Sequence, residues 1–143
     1  MAYTTIQIVD ALAQHLKAHG LAKYDPSGAI PAGPLPMVRM QSLPATPDAA
    51  IAIAVYDENF DRDDHNPDCY IQLRYRTAGK DPRTTENLAD SVTALLHDAS
   101  EYVMPGGVRV LLSRRKIRGL LEPDSNARYE RADSFRFTLT PNG

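Results

Sequence analysis

The sequence predicts an α+β domain, a mixed or antiparallel sheet with two helices packed on one side. Two segments repeat apolar residues at helical spacing, and each opens with a capping signal. Several other runs alternate apolar and polar residues with the period of two that a half-buried strand requires. The order is helix, strands, helix, strands, and segregated runs of that kind favour α+β packing over a parallel wound sheet. The 143 residues suit one domain spanning 1–143, since halves of that length would bury poor cores.

The first helix begins at Thr4. Gln7 follows three residues later, so each side chain can satisfy the other's backbone N–H. Val9, Leu12, Ala13 and Leu16 form its apolar stripe, and Gly20 supplies the stop. LAKYDPSGAIPAGPLP follows, with four prolines from Pro26 to Pro36, which excludes a helix interior or central strand and predicts a surface arm. Strands are expected at 36–43 and 49–58, the second setting Ile51, Ile53 and Val55 against alanines. A polar loop is expected from Asp57 to Asp68. CYIQLRYRT (69–77) then places Cys69, Ile71, Leu73 and Tyr75 on one face and Gln72, Arg74 and Arg76 on the other. The second helix has Asp81 as N-cap and Pro82 at the first helical position. Its predicted core stripe is Leu88, Val92, Leu95 and Leu96, ending near Asp98. After the turn Pro105-Gly106-Gly107, a strand is expected with Val108, Val110 and Leu112 inward. The last strand alternates Phe135, Phe137 and Leu139 with Arg136, Thr138 and Thr140.

Chemistry is sparse. The only cysteine, Cys69, sits in a strand pattern, so neither an intrachain disulfide nor a cysteine metal cluster is available. His15 and His19 lie one helical turn apart without an acid between them, and read as two solvent-facing histidines near a helix C-terminus. Asp57, Asn59, Asp61, Asp63 and Asp68 imitate a calcium loop, but Arg62 stands where the sharp turn needs glycine and Asp68 replaces the bidentate glutamate. No nucleophile elbow, phosphate loop or dinucleotide fingerprint occurs. The expectation is a non-enzyme without catalytic residues, metal or cofactor. No run approaches the roughly 20 apolar residues of a membrane helix, and the first residues lack a basic, signal-like start. A protein made in a cytoplasm, without membrane contact, is expected.

Charge is distributed unevenly although the net value is only −2, which argues against a dedicated nucleic-acid binder. Residues 57–68 hold six acids and one arginine, while 109–118 hold Arg109, Arg114, Arg115, Lys116 and Arg118. A ring is built from heterologous contacts, in which one patch meets a different patch on the neighbour. Asp57, Glu58, Asp61, Asp63 and Asp64 on one side, and Arg109, Arg114, Arg115 and Arg118 on the other, are therefore the candidate interface residues.

The stretch YIQLRYRTAGKDPRTTENLADSVTALLHD resembles the strand–turn–helix centre of tail terminator or minor capsid proteins of long-tailed bacteriophages. SNARYERADSFRFTL resembles their closing stretch, and the short helix before a proline-containing segment also fits. Ala127 departs from the pattern at a place where glycine is expected, which leaves the turn before the last strand open. The resemblance implies a virion protein of the phage tail, assembled in the host cytoplasm. It would form a homo-oligomeric, hexameric ring on the head-proximal end of the tail tube. Such a ring ends tube polymerisation and docks to the major tail-tube protein and to head-completion proteins at the head-tail connection, while genomic DNA passes through without sequence-specific binding. The alternatives are a head-tail adaptor or tail-tube subunit of the same virion, a host-encoded binding module, or a small nucleic-acid-binding module resting on SRRKIRG.

Overall fold

In a computed structural model, which describes residues 2–141, the chain forms two helices and seven strands. In order these are α1 (Thr5–Ala18), β1 (Met37–Met40), β2 (Ala50–Asn59), β3 (Asp68–Arg76), α2 (Pro82–Leu96), β4 (Ala99–Met104), β5 (Val108–Ile117), β6 (Glu122–Pro123) and β7 (Tyr129–Leu139). The strands join in one mixed sheet ordered β1-β2-β3-β7-β5-β4, with β6 beside β7. The β1–β2 pair is parallel and the other pairs are antiparallel. The fold is α+β, as the patterns predict.

Both helices begin as the sequence dictates. The Thr4 N–H donates to Gln7 Oε1 at 2.8 Å, and the Gln7 N–H donates to Thr4 Oγ1 at 3.1 Å. At its far end, Gly20 takes a φ of 74°, the Leu21 N–H returns to the Leu16 carbonyl and the Gly20 N–H to that of Lys17. This is the paired closure that a left-handed residue permits. In α2, the Asp81 carboxylate accepts the Arg83 N–H at 3.0 Å, and Pro82 fills the first turn. The helices share one apolar core with the inward face of the sheet. Ile8, Leu12 and Leu16 from α1 and Ala89, Val92 and Leu96 from α2 join Ile51, Ile53, Cys69, Ile71, Leu73, Tyr75, Phe135, Phe137 and Leu139.

Several expectations need correction. Residues 99–104, unassigned from sequence, form β4, an edge strand whose exposed residues hide the alternation. The polar segment is shorter than 57–68, because β2 continues through Asn59 and β3 starts at Asp68. In β5, the pairing to β7 shifts between Val110 and Leu112. That irregularity resets the alternation, so Leu112 stays half-buried and Ser113 is buried instead. Ser113 is satisfied there, its hydroxyl donating to the Leu96 carbonyl at 2.6 Å and lying 2.7 Å from the Tyr102 hydroxyl. In α2, Thr85, Ala89, Val92 and Leu96 are buried, while Leu88 and Leu95 are half-buried at the margin. The helix is rotated so that its small residues touch the sheet. His15 is buried too, not solvent-facing: its ring stacks on Tyr102 at 5.2 Å and meets His19 edge-on at 4.7 Å.

Candidate assembly surface

The acidic hairpin between β2 and β3 is organised by its own side chains. Asp57 accepts the N–H of Glu58, Asn59 accepts that of Asp61, and Asp63 accepts the His65 N–H and the Asn66 amide. Arg62 closes the loop, donating to both Asp68 carboxylate oxygens at 3.2 Å and to the Asn66 carbonyl at 2.8 Å. Burial alone would raise the Asp68 carboxyl, but hydrogen bonds from Arg62 and Thr138 outweigh it and hold it below the ordinary range. Arg62, at odds with a calcium loop, is thus the residue that shapes this one. Among the described residues no three His, Cys, Asp or Glu side chains converge as a metal site. Asp57, Glu58, Asp61 and Asp64 remain exposed at the tip and Asp63 half-exposed, with Tyr56 and Phe60 exposed beside them.

The basic segment divides into two parts. Arg115 is half-buried, its backbone N–H donating to His97 Nδ1 at 3.0 Å and its guanidinium to the Thr93 hydroxyl at 3.3 Å. Arg118 pairs with Glu86 at 2.8 Å and Asp90 at 3.7 Å. Arg115 therefore ties α2 to β5, and Arg118 ties it to the segment just past that strand. Arg114 pairs with Asp98 at 2.6 Å on the surface, and Arg109 is exposed at the start of β5. The structure does not bring the two patches together, because β3 and β7 lie between β2 and β5.

Two arginine clusters went unread in the sequence. Arg131 is completely buried and bonds to Asp133 through two nitrogens at 2.9 Å, to Glu86 at 3.2 Å and to Asp90 at 3.1 Å. Arg76 is nearly as buried, and donates to the carbonyls of Asp48, Pro44 and Pro47 at 2.6–2.8 Å. The alternation of its strand puts Arg76 on the polar face with Gln72 and Arg74, and Arg131, flanked by Glu130, Ala132 and Asp133, has no apolar alternation that would mark it as buried. Both act as internal braces. Burial, with the Glu58 and Asp57 charges, pushes the Cys69 thiol up to about 12, so the thiolate is disfavoured and the side chain is a packing element.

The sequence profile described as "Bacteriophage tail terminator protein" matches residues 15–141. The chain belongs to the bacteriophage tail terminator family. It is a structural protein of the phage tail, associated with other virion proteins. A solved structure at 16% identity matches with a TM-score of 0.58, covering 99% of this chain and 100% of its own, which supports the fold alone. No curated protein sequence matches. The matched region takes in only the last turn of α1 but all of α2 and every strand, so the family covers the acidic hairpin, the basic strand and both internal braces.

Proposed function

We propose that this terminator-family protein closes the head-proximal end of a tail tube as a homomeric ring of six copies. The ring ends tube polymerisation, presents its other face to the head-completion proteins and lets genomic DNA pass without sequence-specific contact. The family match over residues 15–141 carries this reading. The chain's electrostatics support it. Asp57, Glu58, Asp61, Asp63 and Asp64 project from one part of the sheet, and Arg109 and Arg114 from another, as a heterologous contact requires. Arg115 and Arg118 brace α2 from within the subunit, so their contribution to an interface is secondary, whereas the Arg114–Asp98 pair lies on the surface, where Arg114 can exchange it for a pair across the contact.

Removing the protein from the phage tests the reading. The expected phenotype is tubes of uncontrolled length that do not join heads, restored by supplying the chain in trans. Tubes of normal length that fail only to join heads would make the protein a head-tail adaptor instead. Absence of tubes altogether would make it a tube subunit.

A further inference from the structure

The corner between β5 and β6 carries the most exposed large apolar side chain among the described residues. Leu120 is 82% exposed, and Ile117, at the end of β5, is 61% exposed. The corner is nevertheless tightly held. A Cβ at Gly119 would lie 1.8 Å from the Ala132 carbonyl oxygen, so only glycine lets the chain press this closely on β7. The Gly119 N–H donates to the buried Asp133 carboxylate at 3.0 Å, and Arg118 pairs with Glu86 at 2.8 Å. Leu120 is thus displayed from a fixed support, and an anchor that is already ordered loses little freedom on binding. Lys116, in the same corner, is exposed and has no ion-pair partner among the described residues.

The other end of β5 carries an open groove of about 430 Å³, between α1 and the β4–β5 turn. Ala11, Pro105 and Val108 give it apolar walls, Gln7 and Gln14 line it from the helix, and Asp10 is its one charged residue among the described residues. Ile6, one turn before Asp10 on α1, is 55% exposed beside it. The corner and the groove cannot meet within one chain. Val110 pairs with Leu139 while Gly119 lies against Ala132, so seven residues of β7 separate the two levels, about 23 Å at 3.3 Å a residue. An apolar knob beside a cation and an apolar groove with an anion, at opposite ends of one chain, suit a head-to-tail repeat. A two-fold dimer would instead use one patch twice.

We infer that the Ile117–Leu120 corner of one copy seats in the α1 groove of the next, with Leu120 against Ala11, Pro105 and Val108 and Lys116 towards Asp10. Each copy offers one corner and one groove, so the contact is heterologous and repeats until it closes. The inference rests on the ring reading above and adds which surfaces make the ring.

Oxidative cross-linking of the full chain, in solution and on tails, tests it directly, since the native Cys69 is buried. Leu120→Cys and Gln14→Cys chains should cross-link when mixed but not alone, and the double variant should give a ladder that stops at the ring number. Leu120→Asp provides the second readout. Because the side chain is exposed, the melting temperature of the free chain should stay unchanged. The concentration for half-assembly should rise about tenfold or more, as it does when an interface anchor is lost. Rings that form normally with Leu120→Asp would overturn the inference and leave the ring reading standing. So would Leu120→Cys chains that cross-link to each other or to another virion protein in place of Gln14→Cys. Absence of rings both in solution and on tails would overturn both.

Discussion

At the scale of single residues, the backbone explains a departure that the sequence left open. Ala127 sits at φ 61°, the left-handed region where glycine is at ease, in a turn closed by the Asp124 carboxylate accepting the N–H groups of Asn126 and Arg128. A side chain there costs about 1–2 kcal/mol. Ala127→Gly should therefore leave thermal stability unchanged or raise it by up to about 1 kcal/mol, against the usual direction for that substitution. A fall of that size in chemical denaturation would refute the strain. His15 gives a pH dependence. Burial, then the neighbouring His19 charge, lowers its folded-state pKa below the ordinary 6.5. The unfolded chain then takes up the proton more readily, so stability is complete above about pH 6.5 and declines as pH falls below it. The melting temperature should drop as pH falls below about 6.5, and His15→Phe should remove that drop. Asp68 and Asp124, both lowered, act in a separate window near and below the ordinary carboxylate value of 3.8.

At the scale of elements, α2 is held by two kinds of contact, and each has a measurable signature. Its apolar contact is made by Ala89, Val92 and Leu96 against a sheet face that includes Phe137. Phe137→Ala should cost about 3–5 kcal/mol, whereas Leu95→Ala, at the half-buried margin, should cost well under half of that. Equal losses in denaturant melts would mean that α2 is rotated from its place here. The polar contact runs from Arg131 to Glu86 and Asp90, with Asp133 completing the set. Replacing such an ion network with apolar groups can be neutral, but deleting one member leaves buried charge uncompensated. Arg131→Ala should cost about 3–5 kcal/mol and loosen α2. Near-wild-type exchange protection of the α2 amides would show that the brace is dispensable.

At the scale of the whole molecule, surface charge should govern assembly and leave folding alone. Exposed ion pairs contribute about 0–1 kcal/mol each, so Arg109→Glu with Arg114→Glu should leave the melting temperature within a few degrees. Like charges brought together at a contact cost several kcal/mol, so the same variant should assemble poorly. Mixing it with chains carrying Asp57→Lys and Glu58→Lys should restore rings, as measured by light scattering. A variant that assembles as wild type places the contact elsewhere, first on the proline-rich arm from Pro26 to Pro36. A salt-dependent DNA affinity lost in the variant would favour a nucleic-acid-binding role. Arg115 and Arg118 are excluded from this test because they brace α2.

Local signals were enough to set much of this protein. The capping pairs Thr4–Gln7 and Asp81–Pro82, the stop at Gly20, the period-two strands and the α+β class all depend on residues a few positions apart, so a linear reading reaches them. The family resemblance was legible for the same reason, in contiguous stretches that the tail terminator profile also spans. Tertiary structure decided the rest. It turned α2 to its small residues, and shifted β5 so that Ser113 replaced Leu112 in the core. It also buried Arg76 and Arg131 beside partners 28 to 45 positions away. Above all it decided that Leu120 stays uncovered and that the groove beside α1 stays open. Exposure is defined by what fails to cover a side chain, and that depends on the placement of every other element.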